Sequence, residues 1–504
     1  MIVLYNPLST TPGKQPLPLS VLSLAAVLER DGLEWSLVDG NLTADPAAEI
    51  AARFAARPGS RPSLLAVTVM PGPQLTQAVE VCRAFRTAQP GIPIVWGGYF
   101  PTQHADTVLQ SPFVDFVVRS QGERPLLDLV AVLAHGGGFE SVSGLSWKPG
   151  PQDPAYGQNL LGRIVHNQIG PMTALDELPD LPYDRVDMAQ YIHPTYLGRR
   201  TVAHNSSFGC PFSCSFCAVV AMTNRRWLPQ SPARIERTLG ELVRRYQVDA
   251  VQMHDMDFFI NEARVAEFAV RIEPLGLKWW ALGRIDTLMQ YSDATWRAMA
   301  QSGLKMVFSG AESSSAATLK LMNKGGKAAP ELAVALARRM RDYGVVPEFS
   351  FVLGTPPDPI GDMVATFDYI RTIKRANPAT EVILYTYTPV PMDGGLYADA
   401  AALGFRFPAT LEEWASDEWR QLMMRRGEGI PWMDGTVRRR IRNFERVLNA
   451  YYPTVTDTRL TPVRRAVLKS ASAWRYALKW YGAPYELRAL QRLIRYQRPE
   501  TTGF

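Results

Sequence analysis

The sequence predicts an α/β protein with three parts. These are a doubly wound parallel sheet of the flavodoxin or Rossmann type, a partial (β/α)6 TIM-like barrel, and a helical C-terminal extension. Three observations carry this reading. Short apolar runs alternate with helix-like segments over residues 1–140, as in βα units whose parallel strands are buried on both faces. After a Pro-rich, irregular linker at 141–200, about six further βα repeats fill 201–400. From 401 to 504 the alternation stops and the pattern becomes helical, rich in Trp and Arg.

In the first unit, "MIVLYNP" is a short apolar run that ends in turn residues. "LPLSVLSLAAVLERDG" is helical and stops at Gly32, a C-terminal signal. "LEWSLVDG", "LLAVTVM", "IPIVWGG" and "FVDFVVRS" read as further strands, with helices "LTQAVEVCRAFRTAQ" and "ERPLLDLVAVLAH" among them. Ligands of such sheets bind at the carboxyl ends of the strands. Those ends are "NPLSTTPG", "MPGPQ", "GGYFPTQ" and "SQGE", small and Gly-rich enough for backbone to approach a ligand closely. The second unit runs from "TVAHNSSFG" to "EVILYTYTPVP". In a parallel barrel the chemistry sits at the C-terminal ends of the strands.

The chain has 504 residues, 46% of them hydrophobic and 20% charged, an ordinary globular composition. No apolar run is long enough to span a membrane, and the N-terminus reads as a strand rather than a signal peptide. With four cysteines there is no disulfide scaffold, and a reducing, cytoplasmic location is expected. The net charge of +6 is uneven. Residues 435–504 hold 15 Lys and Arg against 4 Asp and Glu, so the remainder sums to −5.

Three of the four cysteines fall in "SSFGCPFSCSFCAVV", spaced Cys210-x3-Cys214-x2-Cys217. A structural zinc site takes four protein ligands, usually from paired knuckles. Cys82 is about 130 residues away in another unit, and His204 has no partner in sequence. Three thiolates on a cubane would leave one iron open to a small chelating ligand, unlike a closed four-cysteine cluster. The spacing, placed after the first strand of a βα barrel, points to a [4Fe–4S] cluster on Cys210, Cys214 and Cys217.

With this motif the second unit resembles the radical S-adenosylmethionine (radical SAM) enzymes. In that family the amino and carboxylate groups of SAM chelate the open iron, and electron transfer cleaves SAM to methionine and a 5′-deoxyadenosyl radical. "HDMDFF" (254–259), "GRID" (283–286), "SGAESSS" (309–315), "FVLGTPP" (351–357) and "YTPVPMDGGLY" (387–397) resemble its later strand ends. The resemblance implies SAM contacts from Phe216, Asp255, Asp257, Arg284, Gly310 and Glu312. Acidic side chains and exposed backbone suit a ligand that bears an ammonium, a sulfonium and ribose hydroxyls.

The first unit resembles the cobalamin-binding domain that precedes the barrel in one radical SAM subclass. The matching stretches are "VTVMPGPQLTQAVE", "VWGGYFPTQHAD" and "VDFVVRSQGE". The Asp-x-His-x-x-Gly motif of other cobalamin domains is missing, since the first histidine of the chain is His104. Many members of the subclass leave the lower face of cobalt without a protein ligand. The resemblance therefore implies that Met70, Pro71, Gly72 and Gln74 pack near that face without a His–Co bond. It also implies that Gly97, Gly98, Gly122 and Glu123 lie along the nucleotide tail, with His104 only an outlying candidate ligand.

Together the two resemblances imply methylation of an unactivated carbon. One SAM methylates reduced cobalamin, and a second yields the radical that takes a hydrogen atom from the substrate, which then receives the methyl group. Tyr99, Phe258, Tyr385 and Tyr387 are candidates to line the shared cavity. An external one-electron reductant of the flavodoxin or ferredoxin type is implied. The runner-up is an oxidoreductase of the anaerobic porphyrin-ester cyclase type. A structural cluster carrier and a nucleic-acid modifier are weaker readings, since no RNA-binding module is recognisable. The basic, aromatic tail suits an apolar or polycyclic substrate or peripheral membrane contact, and equally a cap on the barrel with snorkelling stems.

Overall fold

The computed structural model describes residues 1–10, 13–57, 59, 62–149, 164–324, 329–390, 395–423, 428–457 and 459–494. The apolar runs of the first unit become β1 (Ile2–Asn6), β2 (Trp35–Asp39), β3 (Leu64–Thr68), β4 (Ile94–Gly97) and β5 (Phe116–Val118). Between and after them run α1 (Leu19–Arg30), α2 (Pro46–Ala55), α3 (Pro73–Ala88), α4 (Tyr99–Gln103), α5 (Ala105–Gln110) and α6 (Glu123–His135). The five strands are parallel in the order β2–β1–β3–β4–β5. This doubly wound order has its switch point, where ligands bind, between β1 and β3.

The sheet does not end at 140 as the sequence suggests. β6 (Leu145–Trp147) adds antiparallel to β5, and β7 (Val165–His166) adds antiparallel to β6. They cover an edge that would otherwise expose unpaired backbone groups. Such short strands after a Gly-rich turn leave too little periodicity to be read. The following segment drapes over both units. The Gln15 side chain donates to Gln190 O at 2.7 Å, the Tyr191 hydroxyl donates to Asp39 at 2.8 Å, and Arg234 donates to Pro179 O at 2.9 Å.

The second unit contains β8 (Thr201–His204), β9 (Ser207–Gly209), α7 (Val219–Thr223), β10 (Trp227–Pro229), α8 (Pro232–Tyr246), β11 (Ala250–Met253), α9 (Glu262–Ile272) and β12 (Lys278–Leu282). It continues through α10 (Ile285–Gln290), α11 (Asp293–Gln301), β13 (Leu304–Glu312), α12 (Ala316–Leu321), α13 (Pro330–Asp342), β14 (Val346–Leu353), α14 (Pro359–Ala376) and β15 (Glu381–Thr386). Six strands pair in parallel in the order β8–β11–β12–β13–β14–β15, the order of a partial barrel. The run expected as one first strand divides, because β9 leaves the barrel to pair antiparallel with β10. Ser231, Asn261, Ser292, Ser315 and Asp358 each accept a backbone N–H three residues on, which fixes where the helices after the strands begin.

Side chains alternate across these strands. Val251, Met253, Trp279, Ala281 and Val307 join the helices in the main core. Ala250, Trp280, Met306 and Val346 form a separate cluster inside the barrel with Leu197.

The extension begins with α15 (Gly395–Ala402), α16 (Leu411–Trp414) and α17 (Asp417–Met423), followed by α18 (Gly435–Tyr451), α19 (Pro462–Ala477) and α20 (Tyr485–Leu493). It is not a separate body. Trp414 meets Phe100 and His104 of the first unit at ring distances of 5.0 and 4.4 Å. Phe444 of α18 stacks on Phe367 of α14 at 3.9 Å, and Arg371 donates to Tyr476 O. Phe444 is fully buried. Phe444→Ala should cost about 3–5 kcal/mol and lower the thermal unfolding midpoint, and a midpoint equal to wild type would contradict this docking.

Candidate functional site

Cys210, Cys214 and Cys217 lie half-buried on the loop between β9 and α7. Within the loop, Cys217 N donates to Cys214 O at 3.1 Å. Further support comes from outside it. Ser215 N donates to Met322 O at 2.9 Å, the Ser215 hydroxyl donates to Leu321 O at 2.8 Å, and Asn323 Nδ2 donates to Ser213 O at 2.9 Å. Gly209 enters the loop at φ +88°, and a Cβ there would stand 2.1 Å from Arg226 O.

Among the described residues no three Cys, His, Asp or Glu side chains converge to hold a single metal ion. Three thiols on one loop are the kind of donor set that an iron–sulfur cluster takes. Cys82 cannot supply a fourth leg, because it is sealed in the first core beneath Trp96 Nε1 at 3.3 Å. Burial pushes the Cys210 thiol up to about 12. Burial also raises Cys214, with Lys324 and Arg284 opposing it. A bound metal would overcome this by deprotonating the thiols outright.

Arg284 joins the loop to the rest of the site. Its Nη1 donates to Cys214 Sγ at 3.3 Å, its guanidinium lies 4.0 Å over the Phe212 ring, and it pairs with Asp286 at 2.7 Å. It also donates to Lys324 O. Glu312, at φ +58°, pairs with Lys324 at 2.8 Å, and Lys324 also donates to Gly310 O. Lys324 gave no signal in sequence, since it stands in an ordinary "NKGG" turn.

The two aspartates differ. Asp255 accepts from Ser206 N, the Ser206 hydroxyl and the Ser207 hydroxyl, so it anchors β9. Asp257 is buried, its Oδ1 accepts from Phe259 N, and its Oδ2 has no partner among the described residues. Burial pushes it up to about 7. That orphaned oxygen fits a polar ligand better than Asp255 does. Phe216 is half-buried against the core.

Of the cavity candidates, Tyr385 is half-open on β15 and Tyr99 is half-open at the start of α4. Phe258 is not at a cavity. It is fully buried in the barrel wall against Phe259, Phe268 and Trp279, because the chain turns back after β11. Tyr387 is also buried, 6.5 Å from Trp432 of the extension. Residues 391–394 of the 387–397 stretch lie outside the described residues.

The inward face of the barrel is incompletely filled. Gln252, His254, Leu282, Phe308 and Glu348, on the inward face, are partly open, whereas their outward neighbours Met253, Ala281, Val307 and Phe349 are buried. Trp280 Nε1 donates to Glu348 at 2.8 Å. Burial, with Glu381 nearby, pushes the Glu348 carboxyl from 4.5 up to about 7. Sequence reasoning missed this lumen, although period-two alternation along "EFSF" and "KWWAL" could have indicated it.

In the first unit, Gln74 ties the strand ends together by accepting from Met70 N and donating to Asn6 and Pro7 O. Met70 is 53% exposed, Pro71 follows it in the turn, and Gly72 caps α3. Gly97 ends β4, and a Cβ on Gly98 would stand 3.1 Å from Thr68 Oγ1. The buried Ser120 hydroxyl, beyond β5, has no partner among the described residues. Gly122 caps α6, and Glu123 accepts from Ser23. A close-approach backbone with an orphaned hydroxyl fits a bulky polar nucleotide tail. His104 is packed among Phe100, Phe407 and Trp414, and burial lowers it to about 4. α4 of this unit packs on α7, the helix leaving the cysteine loop.

Two outcomes are expected. Gly209→Ala should add about 1–2 kcal/mol of backbone strain plus the clash, and retain several-fold less iron after anaerobic reconstitution. Its circular dichroism should be unchanged, and full iron content would refute this. Between pH 4.5 and 7 the folded protein keeps a Glu348 proton that the unfolded chain loses, so this residue lowers stability as pH rises through that window. Glu348→Gln should therefore raise the unfolding midpoint at pH 8 and leave it nearly unchanged at pH 4. An equal change at both values would refute the assignment.

Residues 6–130 match the family model of the B12 binding domain, and residues 204–370 match that of the Radical SAM superfamily. An uncharacterised methyltransferase of Pyrococcus horikoshii is 25% identical over 71% of this chain and 73% of its own length. An anaerobic magnesium-protoporphyrin IX monomethyl ester cyclase of Synechocystis is 27% identical over 63% of this chain and 61% of its own length, so the match leaves over a third of that relative uncovered. Among solved structures, OxsB with aqua-cobalamin and S-adenosylmethionine bound aligns with TM-score 0.68 at 16% identity, covering 98% of this chain and 75% of that one. TsrM from Kitasatospora setae, with cobalamin and a [4Fe-4S] cluster bound, aligns with TM-score 0.60 at 17% identity, covering 78% and 73%. The chain thus holds a B12-binding domain followed by a Radical SAM domain.

Proposed function

We propose that the protein is a cobalamin-dependent radical SAM methyltransferase that places a methyl group on an unactivated carbon of an apolar or polycyclic small molecule. The observation that carries this reading is the three-thiol loop at the barrel mouth, whose outgoing helix α7 packs on α4 of the B12-binding domain. When bound, the cluster, SAM and cobalamin would supply the electron, the hydrogen-abstracting radical and the methyl group. Cys210, Cys214 and Cys217 would hold the cluster, and the first unit's strand ends, from Met70 to Gln74, at Gly97 and Gly98 and at Gly122 and Glu123, would hold cobalamin.

The chain's own groups would do the rest. Arg284 keeps a positive charge against Cys214 and sets the loop's position through Lys324 O. The Glu312–Lys324 pair leaves Gly310 fixed at the strand end. Asp257 offers SAM an unpaired carboxyl oxygen. Tyr99 and Tyr385, half-open on α4 and β15, would line the substrate cavity. An external flavodoxin- or ferredoxin-type donor would supply the electron.

The cyclase relatives favour one second reading, an oxidative cyclisation using the same cofactors. Reconstituted protein, reductant, SAM and candidate substrates would be followed by mass spectrometry. Methylation predicts a product heavier by one CH2, with S-adenosylhomocysteine and 5′-deoxyadenosine formed together, and with Cys214→Ala abolishing both SAM cleavage and product while cobalamin stays bound. Deoxyadenosine with no S-adenosylhomocysteine would refute methylation and favour the cyclase reading.

A further inference from the structure

We propose that the C-terminal helices α19 and α20 seat the protein on an anionic lipid bilayer. This rests on surface residues apart from the cofactor site and is independent of the reaction proposed above. α19 has two unlike apolar faces. Leu468, Ser472, Arg475 and Tyr476 are buried against the protein. On the opposite side Val463, Val467, Trp474 and Leu478 follow at intervals of four, seven and four residues, within about 60° of the helix circumference at ~100° per residue. They are exposed by 73, 43, 42 and 71%. Ala466, Ser470 and Ala477 are also exposed and widen the arc to about 120°, and no charged residue interrupts it. Arg464 and Lys469 border it on either side.

The stripe continues past the helix. Trp480 is 54% exposed and packs edge-on to Trp474 at 5.2 Å. Tyr485 and Leu493 of α20 are exposed by 68 and 84%. A contiguous exposed apolar patch on a folded protein marks an interaction site.

Charge identifies the occupant. Residues 435–504 carry +11 and the rest of the chain −5. A second copy docking through the same patch would bring two strongly basic surfaces together, which is repulsive. A bilayer with anionic headgroups matches the cationic border, accepts aliphatic side chains below it and places tryptophan at the interfacial depth it prefers. Among the described residues no helix is long and apolar enough to cross a membrane, so the helices would lie in the surface plane.

Full-length protein would be floated with phosphatidylcholine vesicles and with vesicles of mixed phosphatidylcholine and phosphatidylglycerol. The expected result is flotation with the mixed vesicles only, weakening as salt rises. Trp474→Ser with Leu478→Ser should weaken it by at least about tenfold, the equivalent of losing much of two side chains' burial. Arg464→Glu with Lys469→Glu should weaken it in low salt. Both pairs are exposed, so circular dichroism should match wild type. Protein that stays at the bottom with anionic vesicles would overturn the proposal. So would a Ser/Ser variant that floats like wild type, or a dimer in sedimentation that the same variant splits.

Discussion

The site depends on the attachment of an irregular loop to a turn more than a hundred residues later. Between β9 and α7 the chain has no secondary structure to satisfy its backbone, and buried or half-buried polar groups left unpaired are costly. The bonds from Ser215 to Leu321 and Met322, and from Asn323 to Ser213, supply those partners. The same turn continues into Lys324, which reaches Glu312, while its carbonyl receives Arg284. Cysteines, arginine and the glutamate pair therefore form one connected network drawn from three strand ends. Displacing one member would shift the others, and such coupled polar networks are worth more than their separate bonds.

Much of this was legible in the sequence because it is written in local pattern. The apolar runs of parallel strands, the closing glycines and the cysteine spacing all depend on residues near one another in the chain. What escaped depends on contacts between distant segments. "HDMDFF" lies just past the end of β11, so strand alternation no longer dictates direction. Phe258 turns into the wall, and Asp255 is drawn to Ser206 and Ser207, whose proximity only the β8–β11 pairing creates. Lys324 is unreadable for the same reason. β6 and β7 are too short to show a period, and they complete a sheet that the sequence appeared to end earlier.

The interior electrostatics follow from shape. The apolar and aromatic side chains around Glu348 offer its carboxyl little solvation, so it holds its proton to about 7 and has Trp280 Nε1 as its donor. On the neighbouring strand Glu381, in register with Glu348, accepts from the Thr454 hydroxyl and Val455 N of the extension. The extension thereby closes the base of the barrel and gives Glu381 the hydrogen bonds a buried carboxylate needs.

The extension's grip on the first unit bears on how the molecule is built. Thr76 bonds Ala415 across 339 residues of sequence, and Arg83 bonds Glu412 across 329. Closing such loops costs little more than closing moderate ones, since the entropy grows only with the logarithm of length. They can form only once the chain as far as Glu412 and Ala415 has been synthesised, long after the residues of α3 that they clasp. Until then the first unit lacks the cover that Trp414 gives Phe100 and His104 in the finished fold.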